Sequence, residues 1–226
     1  MPVKHLGLIL DGNRRWAQAH GLPTLEGHRR GYDNLKTVGL AAVERGVEHV
    51  SAFVFSTENW QRSREEVGYL MDLLWNALTA ELGFFQEHGL RLKVLGARDR
   101  LSDRMLQAID GAQARTAAGR RGQLNLCLNY GGRAEIVEAV RQIAARGTPP
   151  EKVTEELISA HVWSAGLPDP DLIIRTSGEQ RLSGFLTWSG VYSELLFVDK
   201  HWPDFGPADL DAALAEFERR QRRFGK

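Results

Sequence analysis

The chain has 226 residues, enough for one large domain or two small ones at roughly 100–200 residues per domain. It carries 29 Lys+Arg against 29 Asp+Glu, and this zero net charge argues against electrostatically driven nucleic-acid binding. The composition, 42% hydrophobic and 26% charged, is that of an ordinary globular protein. No apolar stretch approaches the ~20 residues that span a bilayer. The single cysteine, Cys127, excludes an intrachain disulfide framework and a cysteine-based zinc cluster. The start, Met-Pro-Val-Lys-His, runs straight into a strand-like segment without the apolar core of a signal peptide, so a reduced, cytoplasmic setting is expected.

Short apolar runs at residues 6–10, 50–55, 92–95, 124–128 and 172–174 read as buried strands. Helical spacing fills the intervals, at residues 32–45, 67–85, 102–118, 133–146 and 207–223. The clearest case is Val67, Leu70, Met71, Leu74, Leu78, Leu82 and Phe85, which lie on one face of a single helix. Strand alternating with helix predicts an α/β fold with a mostly parallel sheet, covered by helices on both faces. Continuous apolar strands agree with burial of both sheet faces. No linker divides the chain, and Gly147-Thr148-Pro149-Pro150 reads as a loop, so residues 1–226 are expected to form one domain.

In such a fold, ligands bind beyond the carboxyl ends of the strands. The residues there are informative. They are Asp11-Gly12-Asn13-Arg14-Arg15-Trp16, Ser56-Thr57-Glu58-Asn59-Trp60-Gln61-Arg62, Asn129-Tyr130-Gly131-Gly132-Arg133, and the segment from Arg175 through Glu179 and Arg181 to Ser183. Arginine forks match phosphate oxygens, and glycine lets backbone N–H groups approach them. A helix starting just after Gly12 would add its positive end. One such segment would be an ordinary turn; four converging segments predict an anion site. A phosphate site with carboxylates suggests Mg²⁺, which takes one or two carboxylates and completes its shell with phosphate and water. Asp11 is the best candidate, with a helix N-cap as the rival reading. Glu194 alone reads as a surface carboxylate.

Other chemistries find no support. There is no Walker A loop, no Gly-x-Gly-x-x-Gly after a strand, no His-Glu-x-x-His and no Gly-x-Ser-x-Gly. An aspartyl phosphatase would want a second carboxylate where Asn13 stands. Cys127 sits in an apolar strand and reads as core.

With these motifs in order, the sequence resembles the cis-prenyltransferases, whose bacterial members include undecaprenyl diphosphate synthases. The likeness runs from His5 to Gly225. It rests on Asp11-Gly12-Asn13-Arg14-Arg15-Trp16-Ala17, Gly27-His28-Arg29-Arg30-Gly31, Phe55-Ser56-Thr57-Glu58-Asn59-Trp60, Asn129-Tyr130-Gly131-Gly132-Arg133, the segment Asp171 to Glu179, and Trp202-Pro203-Asp204-Phe205. The resemblance implies a parallel-sheet homodimer that condenses isopentenyl diphosphate with an allylic diphosphate and creates a Z double bond. The Asp-Asp-x-x-Asp signature of the trans enzymes is missing.

Carried over, the resemblance makes Asp11 and Glu194 Mg²⁺ ligands, with Asp11 and Asn59 catalytic. It gives Gly12, Asn13, Arg14, Arg15, Trp16 and His28 to the allylic diphosphate, and Arg175, Arg181 and Ser183 to isopentenyl diphosphate. Ser56, Thr57, Glu58, Asn59, Trp60, Arg62 and Glu66 match a mobile segment beside the substrates. Arg223 and Gly225 match an Arg-x-Gly pattern that reaches a partner subunit's site. Thr24, Gly184, Thr187 and Ser189 depart from the common bacterial pattern. Val54 and Leu128 stand where long-chain members often carry alanine, so they would shorten the product if they wall the tail tunnel and are simply core if they do not. The rival functions are a non-catalytic partner subunit and an RNA-binding protein using Arg29, Arg30 and the basic residues 219–223. Membrane contact is expected to be peripheral at most.

Overall fold

Each apolar run of the sequence becomes a strand, and the polar residues after it become a turn at one rim of a sheet. The computed structural model describes residues 2–220. In chain order the elements are β1 (His5–Ile9), α1 (Asn13–Ala19), α2 (Thr24–Glu44), β2 (His49–Ser56), a 3₁₀ turn (Thr57–Gln61), α3 (Arg64–Leu78) and α4 (Leu82–Glu87). There follow β3 (Leu90–Leu95), α5 (Asp103–Thr116), β4 (Gly122–Tyr130), α6 (Gly132–Ala145), α7 (Glu155–Ser159), β5 (Leu172–Arg175), β6 (Glu194–Phe197) and α8 (Pro207–Arg219).

The six strands form one sheet in the order β3-β4-β2-β1-β5-β6, with every neighbouring pair parallel. The strand order reverses at β1, because the chain builds outward to β3 on one side and later returns to add β5 and β6 on the other. Such a switch point opens a crevice at the carboxyl ends of the strands. Leu6, Leu8, Val50, Ala52, Leu124 and Leu126 face the larger core, which α2, α3, α5 and α8 cover. Ile9, Cys127, Tyr130, Ile173 and Phe185 form a smaller cluster on the other face. Cys127 is fully buried, as a core cysteine should be.

Several elements differ from the sequence reading, which also contains no counterpart of α7. Residues 67–85 are two helices, because the chain leaves helical geometry at Thr79 (φ −128°, ψ −78°), whose hydroxyl donates to the Trp75 carbonyl at 2.7 Å. Both helices cover the same core, so Leu82 and Phe85 keep the apolar rhythm through the break. Helix α2 starts at Thr24, not residue 32, because its first two turns bury Gly27, His28 and Gly31 in place of aliphatic side chains. A Cβ on Gly27 would stand 2.1 Å from the Asn13 carbonyl oxygen, so glycine is what lets α1 and α2 meet. Strand β6 is not among the expected strands although Leu195-Leu196-Phe197-Val198 is apolar; its four residues are partly buried at a sheet edge.

Candidate active site at the carboxyl rim of the sheet

The crevice at the switch point is framed by the two residues that leave β1 and β5. Beyond Ile9 the chain turns at Gly12, whose φ of +104° is open to glycine alone among common residues. A Cβ there would stand 2.6 Å from Ser177 Oγ and 2.8 Å from His201 Nδ1. The turn presents the Asp11 carboxylate to Arg175, the last residue of β5, whose Nη2 donates to Asp11 Oδ2 at 2.9 Å. Arg15 Nη2, one helical turn on, lies 3.2 Å from Asp11 Oδ1. Burial alone would push the Asp11 carboxyl up, but the hydrogen bond and charge of Arg175, joined by Arg15, hold it below the usual carboxylate range.

The ion pairs close into a ring. Arg15 Nη1 donates to Glu179 Oε1 at 3.3 Å, and Arg181 Nη1 pairs with Glu179 Oε2. The Arg181 carbonyl in turn accepts from Arg175 Nη1, which also donates to Ser183 Oγ at 2.9 Å. Arg175 is buried and its Nε has no partner. Three arginines are therefore held apart by two carboxylates and a carbonyl, an arrangement suited to receiving phosphate oxygens.

Two chambers open from this ring. The first, about 480 Å³, is lined both by polar side chains, Asp11, Arg14, Arg15 and His28, and by apolar ones, Val54 and Leu74 among them. The second, about 790 Å³, takes Arg133, Arg175, Arg181 and Ser183 into its wall. Asp11, Asn59 and Arg62 line both chambers. Two chambers thus share one carboxylate in their walls, and the first also carries apolar side chains.

Most of the expected residues converge here. Gly12, Asn13, Arg14, Arg15 and His28 line the first chamber, and Ser56, Thr57, Glu58, Arg175, Arg181 and Ser183 the second. Asn59 accepts from the Ser56 backbone N–H at 3.0 Å and so shapes the 3₁₀ turn between the chambers. Gly184 also lines the second chamber, with φ +79°, and its carbonyl accepts from the Gly132 N–H.

Three expected residues do not converge. Trp16 is buried and its indole N–H donates to Asp204 at 2.7 Å, so it fastens α1 to the segment before α8. Trp60 donates to Asn129 Oδ1 at 2.7 Å and lies under Arg100, which anchors the 3₁₀ turn to the end of β4. Glu194 opens β6 in register with Leu172, at the amino rim of the sheet, and pairs with Arg220 at 3.0 Å. Within one chain it is not brought to Asp11. Arg223 and Gly225 lie outside the described residues.

Sequence reasoning gave no role to Glu179, although it stands two residues from Arg181 in a motif already singled out. Nor did it pair Glu66 with His28, since they are 38 positions apart. The donor set at the crevice fits Mg²⁺: one ionised, partly exposed carboxylate beside an arginine-rich surface is what that ion usually takes from a protein. No cluster of three or more His, Cys, Asp or Glu that could hold a metal ion occurs among the described residues.

The prenyltransferase family model described as "Putative undecaprenyl diphosphate synthase" matches residues 9–225. The chain belongs to this cis-prenyltransferase family. It is 45% identical over 225 residues to an isoprenyl transferase of Chromobacterium violaceum, covering 100% of this chain and 89% of that one. Among solved structures, lavandulyl diphosphate synthase from Lavandula x intermedia, in complex with dimethylallyl diphosphate, matches with a TM-score of 0.94 and 34% identity, covering 100% of this chain and 99% of that chain. A structure described as a probable undecaprenyl diphosphate synthase from Campylobacter jejuni matches with a TM-score of 0.83 and 28% identity, over 100% of both chains. As in other cis-prenyltransferases, the expected parallel α/β architecture is present, and no described helix is long and apolar enough to cross a membrane.

Proposed function

We propose that this cis-prenyltransferase joins isopentenyl diphosphate to an allylic diphosphate in a Mg²⁺-dependent condensation that leaves a new Z double bond. The observation that carries the reading is the pair of chambers sharing Asp11, one lined in part by apolar side chains and the other by arginines. The allylic diphosphate would enter the first chamber with its hydrocarbon against Val54 and Leu74, and isopentenyl diphosphate the second. Arg15 and His28 would hold the leaving diphosphate, and Arg175, Arg181 and Ser183 its counterpart. The allylic C–O bond breaks and diphosphate departs. The isopentenyl double bond attacks the allylic carbon, and loss of a proton forms the new alkene. Asp11 would hold the Mg²⁺ ion, which neutralises charge on the departing oxygens. The 3₁₀ turn bearing Asn59 would exclude water from the electron-poor carbon.

The chain is proposed to work as a homodimer in the cytoplasm. Val137 and Val140 on the outer face of α6, with Val191 and Tyr192, are exposed and would be covered by a second copy. Glu194 at the far rim, and Arg223 beyond the described residues, could then serve the partner's site. A non-catalytic partner role is disfavoured because Asp11, Arg175 and Arg181 are all present and assembled.

The test is incubation with labelled isopentenyl diphosphate, Mg²⁺ and geranyl or farnesyl diphosphate. Diphosphate release and an elongated product with Z geometry by NMR are expected. A folded protein that releases no diphosphate with either primer overturns the reading.

A further inference from the structure

The amino end of the sheet carries polar chemistry that the reaction does not use. Parallel strands normally bury apolar side chains on both faces. Here one face presents His5, His49, Ser51, Gln123, Asn125 and Lys93 at alternate positions of β1, β2, β4 and β3. His5 Nε2 lies 2.7 Å from Ser51 Oγ, which accepts from Asn125 Nδ2 at 3.1 Å. Asn125 Oδ1 accepts from Gln123 Nε2 at 2.7 Å. This chain of hydrogen bonds crosses three strands and ends at a cavity of about 430 Å³, walled by His49, Arg91, Lys93, Gln113, Gln123 and the turn at Ala165.

The cavity collects positive charge that its own lining does not balance, the nearest carboxylate acting on it being Glu48 beside His49, itself paired with Lys4. None of its lining residues is acidic, and no carboxylate among the described residues pairs with Arg91 or Lys93. Lys93 is half-buried, and burial, with repulsion from Arg91, holds its ammonium below the ordinary lysine range. Its one hydrogen bond runs to the Ala165 carbonyl at 3.2 Å. His49 Nδ1 is buried and has no partner. A lysine that merely guards an edge strand keeps its ammonium in water; Lys93 is instead folded inward over the sheet.

We propose that this cavity is a binding site for a phosphate-type oxyanion, separate from the catalytic crevice. An ammonium, a guanidinium and an imidazole around one space are the donors that recognise such ions, and the anion would supply the missing charge. Along β4 the site lies six residues from Asn129, roughly 20 Å from the catalytic rim.

The test is titration calorimetry of the full chain with inorganic phosphate, which the arginines of the catalytic crevice will also attract. Lys93→Met and Arg91→Gln are compared with Arg181→Ala. Wild type is expected to show two classes of site. Lys93→Met and Arg91→Gln should each weaken one class at least tenfold, with isoprenyl transfer unchanged, and Arg181→Ala should weaken only the other. The proposal is overturned if the Lys93 and Arg91 variants bind phosphate as wild type does, or if Arg181→Ala abolishes all binding. Because Arg91 is exposed, its variant keeps the test decisive should Lys93→Met fail to fold.

Discussion

His28 of α2, in the wall of the first chamber, is held by Glu66 of α3 through a hydrogen bond of 2.9 Å from Nε2 to Oε1, and both side chains are buried. Burial holds His28 below its ordinary value. Burial pushes Glu66 up, but the bond from His28 and the charge of Arg62 outweigh it and hold the carboxyl down. The pair is therefore a neutral imidazole donating to a carboxylate, which also accepts from Arg62 Nη1 at 2.9 Å. One anion thus positions two groups that line the chamber. Glu66→Gln keeps the shape and removes the charge. It is expected to raise KM for the allylic diphosphate about tenfold, equivalent to ~1.4 kcal/mol, with kcat little changed. It should cost about 1–3 kcal/mol of stability in urea unfolding.

Acid should destabilise the fold through its histidines before it reaches most carboxylates. Burial lowers His5 to about 4, against an ordinary value of 6.5. Between these values the unfolded chain binds the proton and the folded chain does not, so stability falls as pH drops from 6.5 towards 4. One such histidine gives a slope of about 1.4 kcal/mol per pH unit. His28 and His49, also lowered by burial, add to it. His5→Gln is expected to make the slope in this window shallower by about one proton. Urea unfolding at half-unit pH steps measures it, and identical slopes would contradict the assignment.

Val54 and Leu128 were equivalent in the sequence, and the structure separates them. Val54 lines the first chamber, whereas Leu128 is 1% exposed and belongs to the core behind it. Val54→Ala should lengthen the product by at least one five-carbon unit. Leu128→Ala should leave the product distribution unchanged and cost about 2–5 kcal/mol of stability. Chromatography of the dephosphorylated products and thermal unfolding distinguish the two.

The sheet was legible because strands buried on both faces are largely apolar, even with Ser51 and Asn125 among them, and the rim was legible because four strands in turn end in Asn, Gly, Ser or Arg. What escaped depended on distance or on packing. The α3–α4 break hides in an unbroken apolar rhythm, since both helices cover one core. Strand β6 leads into an apolar run, Leu195-Leu196-Phe197-Val198, no shorter than those at 92–95 and 172–174, but it lies only partly buried at the sheet edge. Trp16 and Trp60 stand beside site residues in the chain, but their indoles face Asp204 and Asn129, partners 188 and 69 positions away. Glu194 shows the limit of motif reasoning most plainly: parallel register puts it at the amino rim, three residues short of the end where Asp11 lies.

Everything proposed for the reaction converges on the Asp11 carboxylate, and the rate of Mg²⁺-dependent diphosphate release tests it directly. Asp11→Asn preserves the size of the side chain and an acceptor for Arg175 while removing the charge that would hold the ion. The variant should remain folded by circular dichroism and lose about 10²–10³-fold in rate, the usual scale for removing one preorganised electrostatic contact. Chelation of Mg²⁺ should silence the wild type. A folded Asp11→Asn variant releasing diphosphate within threefold of the wild-type rate would contradict the account.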